Sequence, residues 1–133
     1  MTLARQFHNG TTCAKGNHTV TEVGEAMVYL LHGHVIARWA PADGTFELRH
    51  AGHASVTTAK ALNAILVEFN WLPFTLKAWV LTDTRTGRKL AFPADGSPVM
   101  LRRVKPNDMR ELAQWHFADE AATPGNAPTL EGR

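Results

Sequence analysis

Polar and apolar residues alternate from His18 to Val23, the two-residue period of a half-buried strand. Gly24-Glu25 turns the chain, and Met27–Leu31 reads as a second, more apolar strand that ends at His32-Gly33. His34–Trp39 and Thr45–His50 flank Pro41-Ala42-Asp43-Gly44, where an early proline and a final glycine fit a type I turn closed by a glycine bulge. Setting Ala40 opposite Thr45 puts Trp39 against Phe46, Ala37 against Leu48 and Arg38 against Glu47. One face of that pair is apolar and the other carries opposite charges, so the register is self-consistent.

The second half repeats the device. Thr75–Asp83 and Arg88–Phe92 flank Thr84-Arg85-Thr86-Gly87, with Asp83 facing Arg88, Leu81 facing Leu90 and Trp79 facing Phe92. Asp95-Gly96 turns the chain into a last strand, Pro98–Val104, for about seven short strands in all. Between the halves, Leu62, Ile65, Leu66 and Phe69 form one stripe at helical spacing, and Ser55, Thr57 or Thr58 can cap the helix that carries it. A second helix is expected from Pro106-Asn107 to about Glu120, with Asp108 and Glu111 at its positive end and Met109, Leu112, Trp115 and Phe117 on its docking side. The expected fold class is α+β: an antiparallel meander with a central packed helix and a C-terminal helix. Residues 1–17 lack a period and read as a flexible arm, residues 18–120 as one domain, and residues 121–133, with Pro124-Gly125-Asn126 and Pro128, as a disordered tail.

Composition supports a packed core. The chain has 133 residues, 44% of them hydrophobic and 20% charged. One cysteine, Cys13, excludes an internal disulfide and suits a reducing compartment. A signal peptide is not evident, and no apolar run reaches the ~18–20 residues of a membrane span. The net charge of +2 is unevenly spread. Residues 1–70 hold five basic and five acidic side chains, residues 71–110 eight and three, and residues 111–133 one and four. A basic stretch before an acidic end favours an anionic partner or a self-complementary homo-oligomer.

Candidate chemistry follows from these patterns. Arg85, Arg88 and Lys89 at the second hairpin, with Arg102, Arg103 and Lys105 on the last strand, form a basic patch suited to nucleic acid, a nucleotide or an acidic protein surface. Thr57 and Thr58 at the start of the central helix, with Lys60 one turn on, present hydroxyls and free N–H groups to an anion, although simple capping explains them as well. His32, His34, His50 and His53 fall at the ends of paired strands and can converge, but no Cys-x-x-Cys, His-Glu-x-x-His or nearby carboxylate completes a metal site. Turn capping is the better reading of these histidines. Cys13 has His8 and His18 near in sequence, on a loose arm without preorganised geometry. Ser55 and Ser97 lie in no nucleophile elbow, and neither a Walker A sequence nor a dinucleotide fingerprint occurs. Neither a cofactor, a metal nor catalysis is expected.

Leu31-His32-Gly33, Ile36-Ala37, Thr57-Thr58 and Leu62-Asn63, together with the Trp79 strand and Phe92 with Asp95-Gly96, form a pattern over roughly residues 17–97. The pattern resembles a family of small proteins encoded by tailed bacteriophages and prophages. Ala61 stands where the family pattern favours a basic residue. The resemblance implies a phage accessory protein, acting in the cytoplasm of the infected bacterial host. Such proteins are similar in size to counter-defence factors that bind without catalysis. The expected function is therefore a binding protein that neutralises a bacterial defence protein or ribonucleoprotein complex, as an anti-CRISPR inhibitor does. The alternatives are an oligomeric sponge for a nucleotide immune signal and a nucleic-acid-binding regulator.

Overall fold

The structure, a computed structural model, describes residues 2–52, 55–104 and 114–118. Helix α1 (Leu3–Asn9) and strand β1 (Cys13–Lys15) precede the strands β2 (His18–Val23), β3 (Ala26–Leu31), β4 (His34–Ala40) and β5 (Thr45–Leu48). Helix α2 (Val56–Glu68) then leads to β6 (Phe74–Lys77), β7 (Val80–Asp83), β8 (Lys89–Ala91), β9 (Val99–Val104) and β10 (Gln114–Phe117). Strands β1-β2-β3-β4-β5-β9-β10 form a seven-stranded sheet in that order, and β6-β7-β8 a three-stranded one. Every pairing is antiparallel, so the architecture is α+β as expected.

The first hairpins follow the hydrophobic alternation. β4 and β5 pair with Ala40 against Thr45, Trp39 against Phe46, Arg38 against Glu47 and Ala37 against Leu48, the register that the charges and apolar residues demand. Arg38 and Glu47 form the cross-strand ion pair at 3.3 Å. Between β3 and β4 the register shifts after Tyr29, leaving Ile36 as an extra residue on β4. Such a bulge re-aims the side chains beside it. Ser55 caps α2, accepting from Thr58 N–H at 3.2 Å. Leu62, Ile65, Leu66 and Phe69 all turn inward and are buried, as their spacing predicts.

Three parts differ from expectation. Residues 3–15 form α1 and β1 in place of an arm. Thr2 caps α1 through Arg5 N–H, Gly10 ends it at φ 77°, and Leu3, Ala4 and Phe7 supply a short apolar stripe. Phe7 is fully buried, with ring centroids 5.7–6.2 Å from Phe69, Tyr29 and Phe46. The long strand expected over 75–83 folds into the hairpin β6–β7, turning at Ala78-Trp79 with both residues at positive φ (51° and 59°). The β7–β8 pairing still sets Leu81 against Leu90, and Trp79 lies against Phe92 at 5.4 Å. Finally, Gln114–Phe117 is not helical. It is strand β10, paired with β9, and it buries Trp115 and Phe117. Alternating burial of Trp115 and Phe117 is a two-residue period, which the stretch Trp115-His116-Phe117 satisfies better than a helical one. Met109 and Leu112 lie outside the described residues, as does the stretch 121–133.

Candidate functional site

The bulge on β4 and the ends of three elements meet at one pocket. The β3–β4 turn, His32-Gly33, has both residues at positive φ (52° and 80°), as a tight two-residue hairpin turn requires. It places His32 and His34 at the rim, where both are exposed. β5 runs on to His50, and the first turn of α2 brings Ser55 and Thr58. These residues, with Leu31, Ile36 and Ala51, line a cavity of about 240 Å³.

His50 is the best-fixed of the histidines. It is 6% exposed, and its ring contacts Trp79 edge-on at 5.4 Å and lies near-parallel to Phe92 at 6.2 Å. Gly52 N–H donates to its Nδ1 at 3.0 Å, which leaves the ring proton on Nε2. The loop behind it is tight: a Cβ on Gly96 would lie 2.9 Å from Gly52 N. The strand-end histidines therefore do converge, in part. His32, His34 and His50 share the pocket, and His53 lies outside the described residues. Among the described residues no group of three His, Cys, Asp or Glu is spaced to hold a metal ion.

The helix-start residues divide between two cavities. Thr58, 2% exposed, joins the histidines. Thr57 and Lys60 border a second cavity of about 350 Å³, beside Tyr29 and His18. There the Tyr29 hydroxyl and His18 Nδ1 lie 2.8 Å apart. Burial, and secondarily the neighbouring Cys13, pushes the Tyr29 phenol up to about 12, so it stays protonated beside His18. Burial also pushes the Cys13 thiol up, which makes it a poorer nucleophile.

Several cations of the basic patch make contacts within the protein. Arg85 holds Asp83 through Nε and Nη2 at 3.2 and 3.0 Å and donates to the Trp115 carbonyl. The Arg88 guanidinium lies 5.1 Å from the Phe117 ring centroid. Both arginines tie β10 to the turn after β7, which is structural work. Arg103 donates to the Pro41 carbonyl at 3.2 Å. Lys89 and Arg102 are exposed, and Lys105 lies outside the described residues. Sequence reasoning treated Arg85 as a surface charge. The signal it missed was local: Asp83-x-Arg85 at a turn, where the carboxylate accepts Arg85 N–H at 2.9 Å.

Among the described residues no helix is long and apolar enough to cross a membrane. Neither a curated protein nor a solved structure matches the chain. Residues 2–84, which carry α1, strands β1 to β7, the histidine turn and α2, match the family described as Kyanoviridae Gp96 protein. The match begins earlier than the pattern over 17–97 and takes in α1 and β1. It covers more than half of the chain, and the protein belongs to this family of phage proteins.

Proposed function

We propose that the protein is a non-catalytic, phage-encoded binder that neutralises a bacterial defence component in the host cytoplasm, by sequestering a small nucleotide-type signal. The observation that carries this reading is the histidine pocket. It is concave, about 240 Å³, and is lined by apolar Leu31 and Ile36 together with a few polar groups, the usual make-up of a small-ligand site. The cations expected to form a flat interaction surface are partly spent on internal contacts, so a pocket is favoured over a charged face. Family membership agrees with the phage origin of this reading.

The test is to isolate the protein from infected cells, denature it, and identify released small molecules and co-purified proteins by mass spectrometry. An unmodified nucleotide near one per chain, or per fixed number of chains, supports the reading. A stoichiometric host protein with no small molecule replaces it by an anti-CRISPR-like inhibitor. That second reading draws on exposed Lys89, Arg102 and Met100. A chemically altered nucleotide would make the protein an enzyme.

A further inference from the structure

We infer that the histidine pocket recognises the phosphoryl group of its ligand, with His50 and the Ser55/Thr58 hydroxyl pair as the donors. The inference rests on the small-ligand reading above and specifies the chemistry that the site selects.

Counting hydrogens gives the argument. Ser55 Oγ accepts from Thr58 N–H, and the two hydroxyls lie 3.0 Å apart, so one donates to the other. Two hydroxyls carry two hydrogens, and that mutual bond uses one. Whichever way it points, one O–H remains for a ligand. His50 adds a second donor. Its Nδ1 is occupied by Gly52, and its Nε2–H has no hydrogen-bond partner among the described residues. Arg49 Nε is the one buried side-chain polar atom there that is both sealed and unpaired. The Nε2 of His50 is thus unpaired without being sealed, and His50 is one of the residues that line this pocket.

The site thus offers unspent donors, and no carboxylate is among its described lining residues. Those donors suit a group that accepts hydrogen bonds. The first turn of α2 adds the positive end of a 13-residue helix beside those donors. A tetrahedral phosphoryl group accepts in several directions at once, so it can take both the hydroxyl and the imidazole donor. The cavity is larger than a phosphate alone, leaving the apolar side for the rest of the ligand. Asp95 lies in the loop before β9, and hydrogen bonds from Ser97, whose N–H donates to its Oδ1 at 2.9 Å, are the main cause that holds its carboxyl below the ordinary value, with His50 a lesser electrostatic one.

Calorimetric titration of the full chain with inorganic phosphate, adenosine and adenosine 5′-monophosphate tests this. Phosphate and the mononucleotide should bind, and adenosine should bind at least tenfold more weakly than its monophosphate. Thr58→Val and His50→Phe should each weaken mononucleotide binding at least tenfold. His50→Phe keeps a ring against Trp79 and Phe92, and a thermal melt checks its fold. Should it not fold, Ser55→Gly, which keeps a tolerated cap residue, must show the loss together with Thr58→Val. Equal binding of adenosine and its monophosphate, or unchanged binding in the folded variants, overturns the inference. A nucleotide released from the native protein but held without its phosphate would defeat the inference and leave the small-ligand reading intact. Phosphate binding that depends on His50, with no small molecule carried from cells, would do the reverse.

Discussion

Arg85 and Asp83 form a clasp across a two-residue step, and it closes on a third segment. The Asp83 side chain is fully buried, Arg85 is 30% exposed, and the same guanidinium reaches the Trp115 carbonyl on β10. Removing one partner of a buried pair costs about 3–5 kcal/mol. Solvent around Arg85 screens part of that, so Arg85→Ala should destabilise by about 2 kcal/mol in urea denaturation. Reversing Arg85 to Glu should cost more, since two carboxylates would then meet.

The same clasp sets an acid limit. Burial pushes the Asp83 carboxyl up, but hydrogen bonds from Arg85 and its charge outweigh this and hold it below its ordinary value. A depressed folded-state pKa gives stability that is present above about pH 4 and lost as pH falls through the folded value. Asp83→Asn should lower stability at pH 7 and flatten its decline below about pH 4, as followed by denaturation midpoints across an acid series.

The helical stripe predicts a contrast within α2. Leu66 is 8% exposed and Val67 71%. Leu66→Ala should cost about 2–5 kcal/mol, whereas Val67→Ala should stay within about 0.5 kcal/mol. Equal effects would mean that the helix is rotated.

Much of the fold was legible because it rests on local alternation. The Trp39–Phe46 and Arg38–Glu47 pairs are the outcome of a single register that satisfies both faces of the hairpin. The break at Ala78-Trp79 was not legible, because two L-residues without glycine or asparagine carry no turn signature. What bends the chain there is tertiary: Trp79 packs on His50 and Phe92. Phe7 was missed for a related reason. A stripe of Leu3, Ala4 and Phe7 is too short to stand out, and its burial depends on Tyr29, Phe46 and Phe69 from distant segments. For the site, the convergence of His32, His34 and His50 could be foreseen from strand ends. The tautomer of His50 and the leftover hydroxyl hydrogen needed coordinates.

Phe7 gives a test of the N-terminal segment. Phe7→Ala should cost about 3–5 kcal/mol, the range for emptying a full aromatic core position. A loss of a few tenths, read from thermal or urea melts, would mean that α1 is dispensable.

Tyr29 sets an alkaline limit, and as the only tyrosine its titration is unambiguous by absorbance. Its phenol is raised to about 12. The stability it contributes is present below about pH 10, the unfolded value, and is lost as pH rises through about 12. Tyrosinate should therefore appear late and together with unfolding. Tyr29→Phe should remove this part of the alkaline decline.

The β6–β7 turn predicts a gain. Ala78 sits at φ 51°, where an L-residue without a polar side chain is strained and asparagine is better accommodated. Ala78→Asn should raise stability by up to about 1 kcal/mol, seen as a higher urea midpoint.

The tight turn at His32-Gly33 has a consequence for how this family can diversify. Its two residues join strands whose register is held on both sides, Leu31 opposite His34 and then the Ile36 bulge. A one-residue slip in that pairing would flip the following side chains to the opposite face of the sheet, sending Ile36 and Ala37 out of the core. The exposed residues at 32 and 34 can therefore be exchanged without disturbing the core, whereas a change that moves the register cannot. Members of the family should differ there in letters, while keeping the same spacing.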